Sequence, residues 1–499
     1  MMALGRGRVP RVSQTWPWFA VLLLGPVTGI VAQRAPPALV MGVIAGVGLA
    51  VWAVCAEPIA VLTALLLLRP VVDVVAGTDF VTVASLSRVG TDEALNAAGI
   101  LGLGVIALCP FHLWRPSTRG WGHRTPGPSP LPGPAAAFGV LVAWAAVTLP
   151  FAEDRTLAAT NLLRVMSVIC FALLVWRACA SVDGWRALCR AMALSAAVPT
   201  LVAFQQLATG TGGLIDTTGT TEVNRAVGTL GNPNPFAHYL VLTLLATCAL
   251  LDGTRGWRRW LWLGLAGLQA IALGATFTRG AWLAAAVALA VLLLTGGLRH
   301  AWRWLLIVSV VFGVLLLLNA DTLDARFANL DSSNLETNSA ASRLAIWQSM
   351  LAFLATSSRI VTGFGVGSVT AIADRYLQLP LVTHNDYLRV LVELGAVGLL
   401  IWVGVFVAAA VGLTARLRAA RGHTKERLAA AIGLAALAAY FTGGWVENLF
   451  TLTSFQWYWW VLILAPLAIR LPPPSALGYF RGSSGGSGTG YAGHFRRAP

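Results

Sequence analysis

Long apolar runs broken by short basic stretches set the rhythm of this chain. Runs long enough, or nearly so, to cross a bilayer as helices fall near residues 16–32, 38–55, 58–69, 94–112, 135–151, 158–176, 186–208, 236–251, 260–276, 281–297, 304–319, 390–412, 428–442 and 453–469. The third is short and the thirteenth is interrupted by Gly433. The pattern predicts an all-α fold, a polytopic transmembrane helical bundle of about 12–14 spans. The first run follows Arg6, Arg8 and Arg11 and has no small-residue cleavage site before Gln33-Arg34, so it reads as a retained span rather than a signal peptide.

Two polar segments interrupt the rhythm. They divide the chain into a cytoplasmic N-terminus (1–15), helices one to eleven (16–319) with an outer loop at 209–235, an extracytoplasmic catalytic loop (320–389), helices twelve to fourteen (390–470) and a disordered cytoplasmic tail (471–499). Inside the long loop, Ser342 to Leu354 puts Leu344, Trp347, Leu351 and Leu354 on one helical stripe, the pattern of a helix lying in the membrane interface. Gly363-Phe-Gly-Val-Gly367 follows it. With no preceding strand and no Lys-Ser/Thr, it reads as a chain-reversal turn rather than a nucleotide loop.

With 57% hydrophobic and 11% charged residues and a mean hydropathy of +0.73, a stack of soluble domains is excluded. A net charge of +15 would suggest nucleic acid in a soluble protein. Here every basic residue but Lys425 is arginine, and the arginines lie between apolar runs, so the charge reports topology and no nucleic-acid partner. Placing both termini and the even-numbered connections inside puts 23 of the 35 basic residues on the cytoplasmic side. The polar segments then face out. The six cysteines lie at inner ends of spans or, for Cys170, within one, which indicates neither a disulfide framework nor a cysteine-based metal site.

The outer segments hold the candidate chemistry. His384 precedes an apolar run, and Thr383 or Asn385 can cap the first turn there. Such a helix N-terminus attracts anions and suits an imidazole that accepts a proton; the alternative is an interfacial polar residue. In Arg225 to Tyr239, Asn234-Pro235 reads as an N-cap and first helical proline, and Arg225 is either a solvated loop charge or a functional one. Arg279 lies in a short turn between two apolar runs, where a functional role and interfacial snorkelling compete. Arg343 and Trp347 stand one turn apart, as do Arg389 and Glu393, which can simply pair with each other. Of the histidines only His238 and His384 fall on the outer side. Guanidinium groups around a helix N-terminus suit a diphosphate, and a nearby histidine suits deprotonation of a hydroxyl. No carboxylate pair stands out, since Asp386 and Glu393 fit equally well as surface residues.

The segments R-A-V-G-T-L-G-N-P-N-P-F-A-H-Y (225–239), T-F-T-R-G-A-W-L (276–283), Arg343 to Trp347, Gly363 to Gly367 and H-N-D-Y-L-R-V-L-V-E-L-G-A-V-G (384–398) resemble the bacterial O-antigen ligase and O-antigen polymerase superfamily, in the family's order over roughly residues 200–410. The resemblance implies a GT-C type membrane glycosyltransferase of the cell envelope, acting in polysaccharide biosynthesis. It would move a glycan from an undecaprenyl-diphosphate carrier to a glycan, lipid or cell-wall acceptor hydroxyl on the extracytoplasmic face, with no metal or cofactor. It places the family's histidine on His384 and its arginines on Arg225 and Arg279, and matches Arg343 less closely. Asn234, Asn385, Arg389 and Trp347 complete the candidate substrate-binding set. Two other readings remain: a polymerase extending the glycan on its own carrier, and a non-enzymatic polysaccharide or lipid transporter. The latter would place charges near mid-bilayer, which Arg164 alone approaches.

Overall fold

The computed structural model describes residues 48–75, 97–114, 130–218, 221–295, 313, 339–377 and 383–471. In chain order the helices are α1 (Pro58–Val75), α2 (Ala97–Trp114), α3 (Gly133–Thr148), α4 (Arg155–Ala178), α5 (Val182–Ser195), α6 (Ala197–Thr209), α7 (Pro233–Leu251), α8 (Trp257–Ala275), α9 (Arg279–Leu294), α10 (Ser339–Ala355), α11 (Ser368–Leu377), α12 (Asp386–Ala419), α13 (Thr424–Gly443) and α14 (Thr453–Ala468). All belong to one unit that ends at Ile469. Gly133–Phe151, Arg155–Ala178, Val182–Thr209, Pro233–Leu251 and Asp386–Ala419 are long and apolar enough to cross a bilayer. The protein is an all-α polytopic membrane protein.

Every predicted span from residue 58 onward that falls on described residues coincides with a helix. Span 16–32, most of 38–55, 304–319 apart from Gly313, and the Gly/Ser tail lie outside the described residues. Span 186–208 is two helices, α5 and α6, meeting at Ala196, three residues before a proline that cannot donate to the ladder. The outer loop contains a hairpin, β1 (Leu214–Thr218) and β2 (Thr221–Arg225), in which Leu214 pairs with Arg225. Its Thr, Ile and Val content favours extended pairing.

The packing follows the apolar pattern. Helices α7 and α14 are hydrophobic on every face and are enclosed on nearly every side. On α14, Trp457, Tyr458, Trp459 and Trp460 are all buried, and Phe171 of α4 stacks on Trp457 at 4.9 Å and 2°. Helix α13 lies between α9 and α12, and α3 runs along α12.

Helix α12 is broken. Gly395 has φ 69° and ψ −174°, a conformation that glycine alone adopts without strain. A straight helix would separate Tyr387 from Phe406 by roughly 28 Å, yet their rings stand 6.4 Å apart. The helix is therefore a V, with a short arm (386–394) folded back along a long arm (396–419). Four of the freed backbone groups find partners outside the helix: Phe364 N–H donates to Val392 O, Gly365 N–H to Glu393 O, Val397 N–H to Val361 O and Trp144 Nε1 to Leu394 O at 2.8 Å. A broken helix at membrane depth needs such internal satisfaction. The Gly363–Gly367 turn supplies it by direct backbone approach, since a Cβ on Gly363 would stand 2.4 Å from Glu393 O.

Helix α10 buries a second stripe beside the expected one. Its buried side is Ile346, Met350 and Leu354, packed against Phe364, Ile372, Leu388 and Val392, while Leu344 and Leu351 are 52% and 50% exposed. The stripe through 346, 350 and 354 has a helical spacing equally good, and the docked α11 and short arm chose it.

Candidate active site

The hairpin delivers Arg225 to the start of two helices. Arg225 donates from Nε to Thr276 O at 2.9 Å, and from one Nη to Asn234 Oδ1 at 2.9 Å and Thr278 Oγ1 at 3.1 Å. Asn234 is not the cap the sequence suggested: Asn232 caps α7 with Pro233 in the first turn. The earlier Asn-Pro pair can start the helix because Asn232 Oδ1 accepts from Asn234 N–H at 2.9 Å, which leaves the Asn234 side chain for Arg225. Gln206 fixes the same loop, accepting from Val227 and Gly228 N–H and donating to Gly228 O. Arg279 is the first residue of α9, after the N-cap Thr278, where the helix dipole favours an anion.

A second segment meets this one through Gly280. A Cβ there would stand 2.4 Å from a Val446 methyl, so the α9 N-terminus abuts the connection between α13 and α14. That connection runs beside residues 383–387 as a ladder. Thr383 Oγ1 donates to Asn448 Oδ1 at 3.3 Å, His384 Nδ1 faces Glu447 Oε1 at 3.0 Å, Asp386 N–H donates to Gly444 O at 2.7 Å, and the Tyr387 and Trp445 rings pack at 4.8 Å, tilted by 35°. The Asp386 carboxylate accepts from Leu449 and Phe450 N–H, both at 3.0 Å.

His384 precedes the cap: Asn385 is the N-cap, its side chain accepting from Leu388 N–H. What faces the imidazole is a carboxylate rather than the helix N–H groups anticipated for it. His384 holds φ 45°, a left-handed backbone that costs roughly 1 kcal/mol or more in a non-glycine residue and marks over-determined sites. Its side chain is 30% exposed and that of Glu447 8%. Burial pushes the Glu447 carboxyl up, but His384 by charge and hydrogen bond, then Arg343 and His238, outweigh it and hold it down to about 2. The ionised carboxylate accepts from Nδ1–H, so when the imidazole is neutral the lone pair falls on Nε2.

The remaining candidates are placed around this pair. Arg343 donates to Val446 O at 2.8 Å and Trp347 Nε1 to Thr383 O at 2.7 Å, so α10 hooks both sides of the ladder. Arg389 pairs with Glu393 at 2.9 Å and donates to Thr451 Oγ1 at 3.0 Å, inside the bundle. His238 is buried against Gly443. Among the described residues no group of three His, Cys, Asp or Glu side chains is placed to hold a metal ion.

Sequence reasoning missed Glu447 and left open whether Asp386 and Glu393 are surface residues; both are buried. Glu447 sits 63 residues after His384 in a connection with no motif. Its one signal was a lone acid between two apolar spans, where an ionisable group is costly.

Residues 264–403 match the O-antigen ligase family model. Over this segment the chain is similar to an O-antigen ligase domain. It contains Arg279, Arg343 and His384, whereas Arg225 and Glu447 lie on either side of it. No curated protein matches the chain. The match supports a membrane glycosyltransferase of the ligase or polymerase type.

Proposed function

We propose that this chain transfers a glycan from an undecaprenyl-diphosphate carrier to an acceptor hydroxyl on the extracytoplasmic face, with inversion at the anomeric carbon and without a metal. The observation that carries the reading is the His384–Glu447 pair beside the α9 N-terminus that begins at Arg279. The acceptor oxygen attacks the anomeric carbon and its proton passes to His384 Nε2. The bond from that carbon to the diphosphate oxygen breaks, and its electron pair leaves on the lipid diphosphate. Arg279 and the α9 N–H groups stabilise that charge. Glu447 orients the imidazole and balances its charge as it takes the proton. Arg225, whose Nε and one Nη hold Thr276, Asn234 and Thr278, fixes the turn from which Arg279 starts and adds positive potential. Arg343, Trp347, Asn234 and Asn385 position the backbone of the site.

The donor chemistry is the same for a ligase and for a polymerase extending the glycan on its own carrier, so analysis of the product's reducing end separates them. The test of the reading is His384→Ala in proteoliposomes supplied with lipid-diphosphate glycan and acceptor. Transfer should fall by roughly 10²- to 10⁴-fold with donor binding retained. Transport of the lipid-linked glycan with no covalent transfer by the wild-type protein overturns the enzyme reading in favour of a transporter.

A further inference from the structure

Beside the His384–Glu447 pair the ladder exposes an aromatic surface that the chemistry above does not use. Trp445 is 49% exposed and Phe441 51%, although both stand next to a site whose other side chains are mostly buried. The Trp445 ring rests on Tyr387 at 4.8 Å and 35°. Tyr387 is in turn fixed: its hydroxyl donates to Phe441 O at 2.9 Å and its ring contacts Phe441 at 5.8 Å and Phe406 at 6.4 Å. Trp445 lies two residues from Glu447, and Tyr387 three from His384, so this ring pair belongs to the same ladder as the acid–base pair, next to the Asp386–Gly444 rung.

We propose that Trp445 is the platform on which the acceptor saccharide stacks. The inference rests on the glycosyltransferase reading above. A pyranose presents one face of C–H groups, which packs on an aromatic π-face, while its hydroxyls stay at the rim in reach of polar partners. A rigid indole held by a second ring binds such a face at little conformational cost. The position selects the acceptor rather than the donor sugar. Trp445 shares its connection with Glu447, which serves the histidine that takes the acceptor proton, while Arg279, assigned above to the donor diphosphate, begins α9, whose Gly280 meets that connection at Val446.

The test is kinetic. Trp445→Ala and Trp445→Phe are reconstituted with lipid-diphosphate glycan, and transfer is measured against the concentration of a soluble oligosaccharide acceptor and, separately, of the donor. The acceptor KM should rise about tenfold or more in Trp445→Ala, as loss of roughly 1.4 kcal/mol of stacking requires, with recovery in Trp445→Phe and an unchanged donor KM. An acceptor KM equal to wild type overturns the proposal and makes Trp445 an interfacial anchor. A raised donor KM with unchanged acceptor KM overturns it in favour of the donor glycan. If Trp445→Ala fails to fold, Trp445→Phe and Trp445→Tyr against Trp445→Leu carry the same comparison. Absence of transfer by the wild-type protein is failure of the enzyme reading itself, and is told apart because no variant is then compared.

Discussion

Replacing Glu447 by Gln keeps the shape of the side chain and an oxygen for His384 Nδ1 and Asn448 N–H, which Oε1 serves at 3.0 and 3.1 Å. What it removes is the charge. The displacement of the Glu447 carboxyl from 4.5 to about 2 corresponds to on the order of 3 kcal/mol in favour of the carboxylate. A group whose folded pKa lies below its unfolded value contributes fully above the unfolded value and loses that contribution as pH falls through the folded one. The wild-type protein in detergent should therefore lose thermal stability between pH 4.5 and about 2. Glu447→Gln should be less stable at pH 7 and flatter across that window. The same charge balances the imidazole as it accepts the proton, and about 3 kcal/mol lost there is roughly a hundredfold in rate. Transfer at saturating donor and acceptor, with donor binding measured in parallel, reads the effect. Turnover within about twofold of wild type in a well-expressed Glu447→Gln protein removes the carboxylate from the chemistry. Loss of donor binding instead makes Glu447 part of the donor site.

Arg279→Lys retains a positive charge at the α9 N-terminus but not the planar fork, so bidentate diphosphate contact predicts a severe fall in kcat/KM; near-normal turnover assigns Arg279 to interfacial anchoring. Gly395→Ala puts a Cβ 2.2 Å from Val361 O at φ 69°, and should cost more than about 3 kcal/mol and misplace the short arm. Unchanged thermal stability and activity would show that the V relaxes without that glycine.

The helices were legible because lipid imposes a rule on each of them separately: every span must be apolar and satisfy its own backbone. Arg225, Arg279 and His384 stood out as candidates for a related reason, as charged or titratable groups set in turns between apolar runs. The cap of α7, the buried stripe of α10 and Glu447 were not, because each was decided by a partner distant in sequence. Asn234 left the capping role when Arg225 claimed its side chain. Helix α10 turned the 346–350–354 stripe inward when the short arm of α12 docked on it. Glu447 became a partner of His384 only because α12 folds back at Gly395, and a periodicity that reads 390–412 as one straight span gives no warning of a V.

That fold also accounts for why so many polar groups near the site bind backbone rather than open space. Four irregular connections meet here, and irregular backbone beside a bilayer has no water to fall back on. Arg343 answers Val446 O, Trp347 answers Thr383 O, Asp386 answers Leu449 and Phe450 N–H, and Gln206 answers Val227 and Gly228 N–H. Each such bond also fixes the position of the next, which is how a histidine in a left-handed conformation stays within 3.0 Å of its carboxylate. A residue spent this way acts on the reaction through geometry. Its substitution should lower turnover in step with stability, whereas loss of the His384 ring should lower turnover far more than the lost Glu447 contact lowers stability.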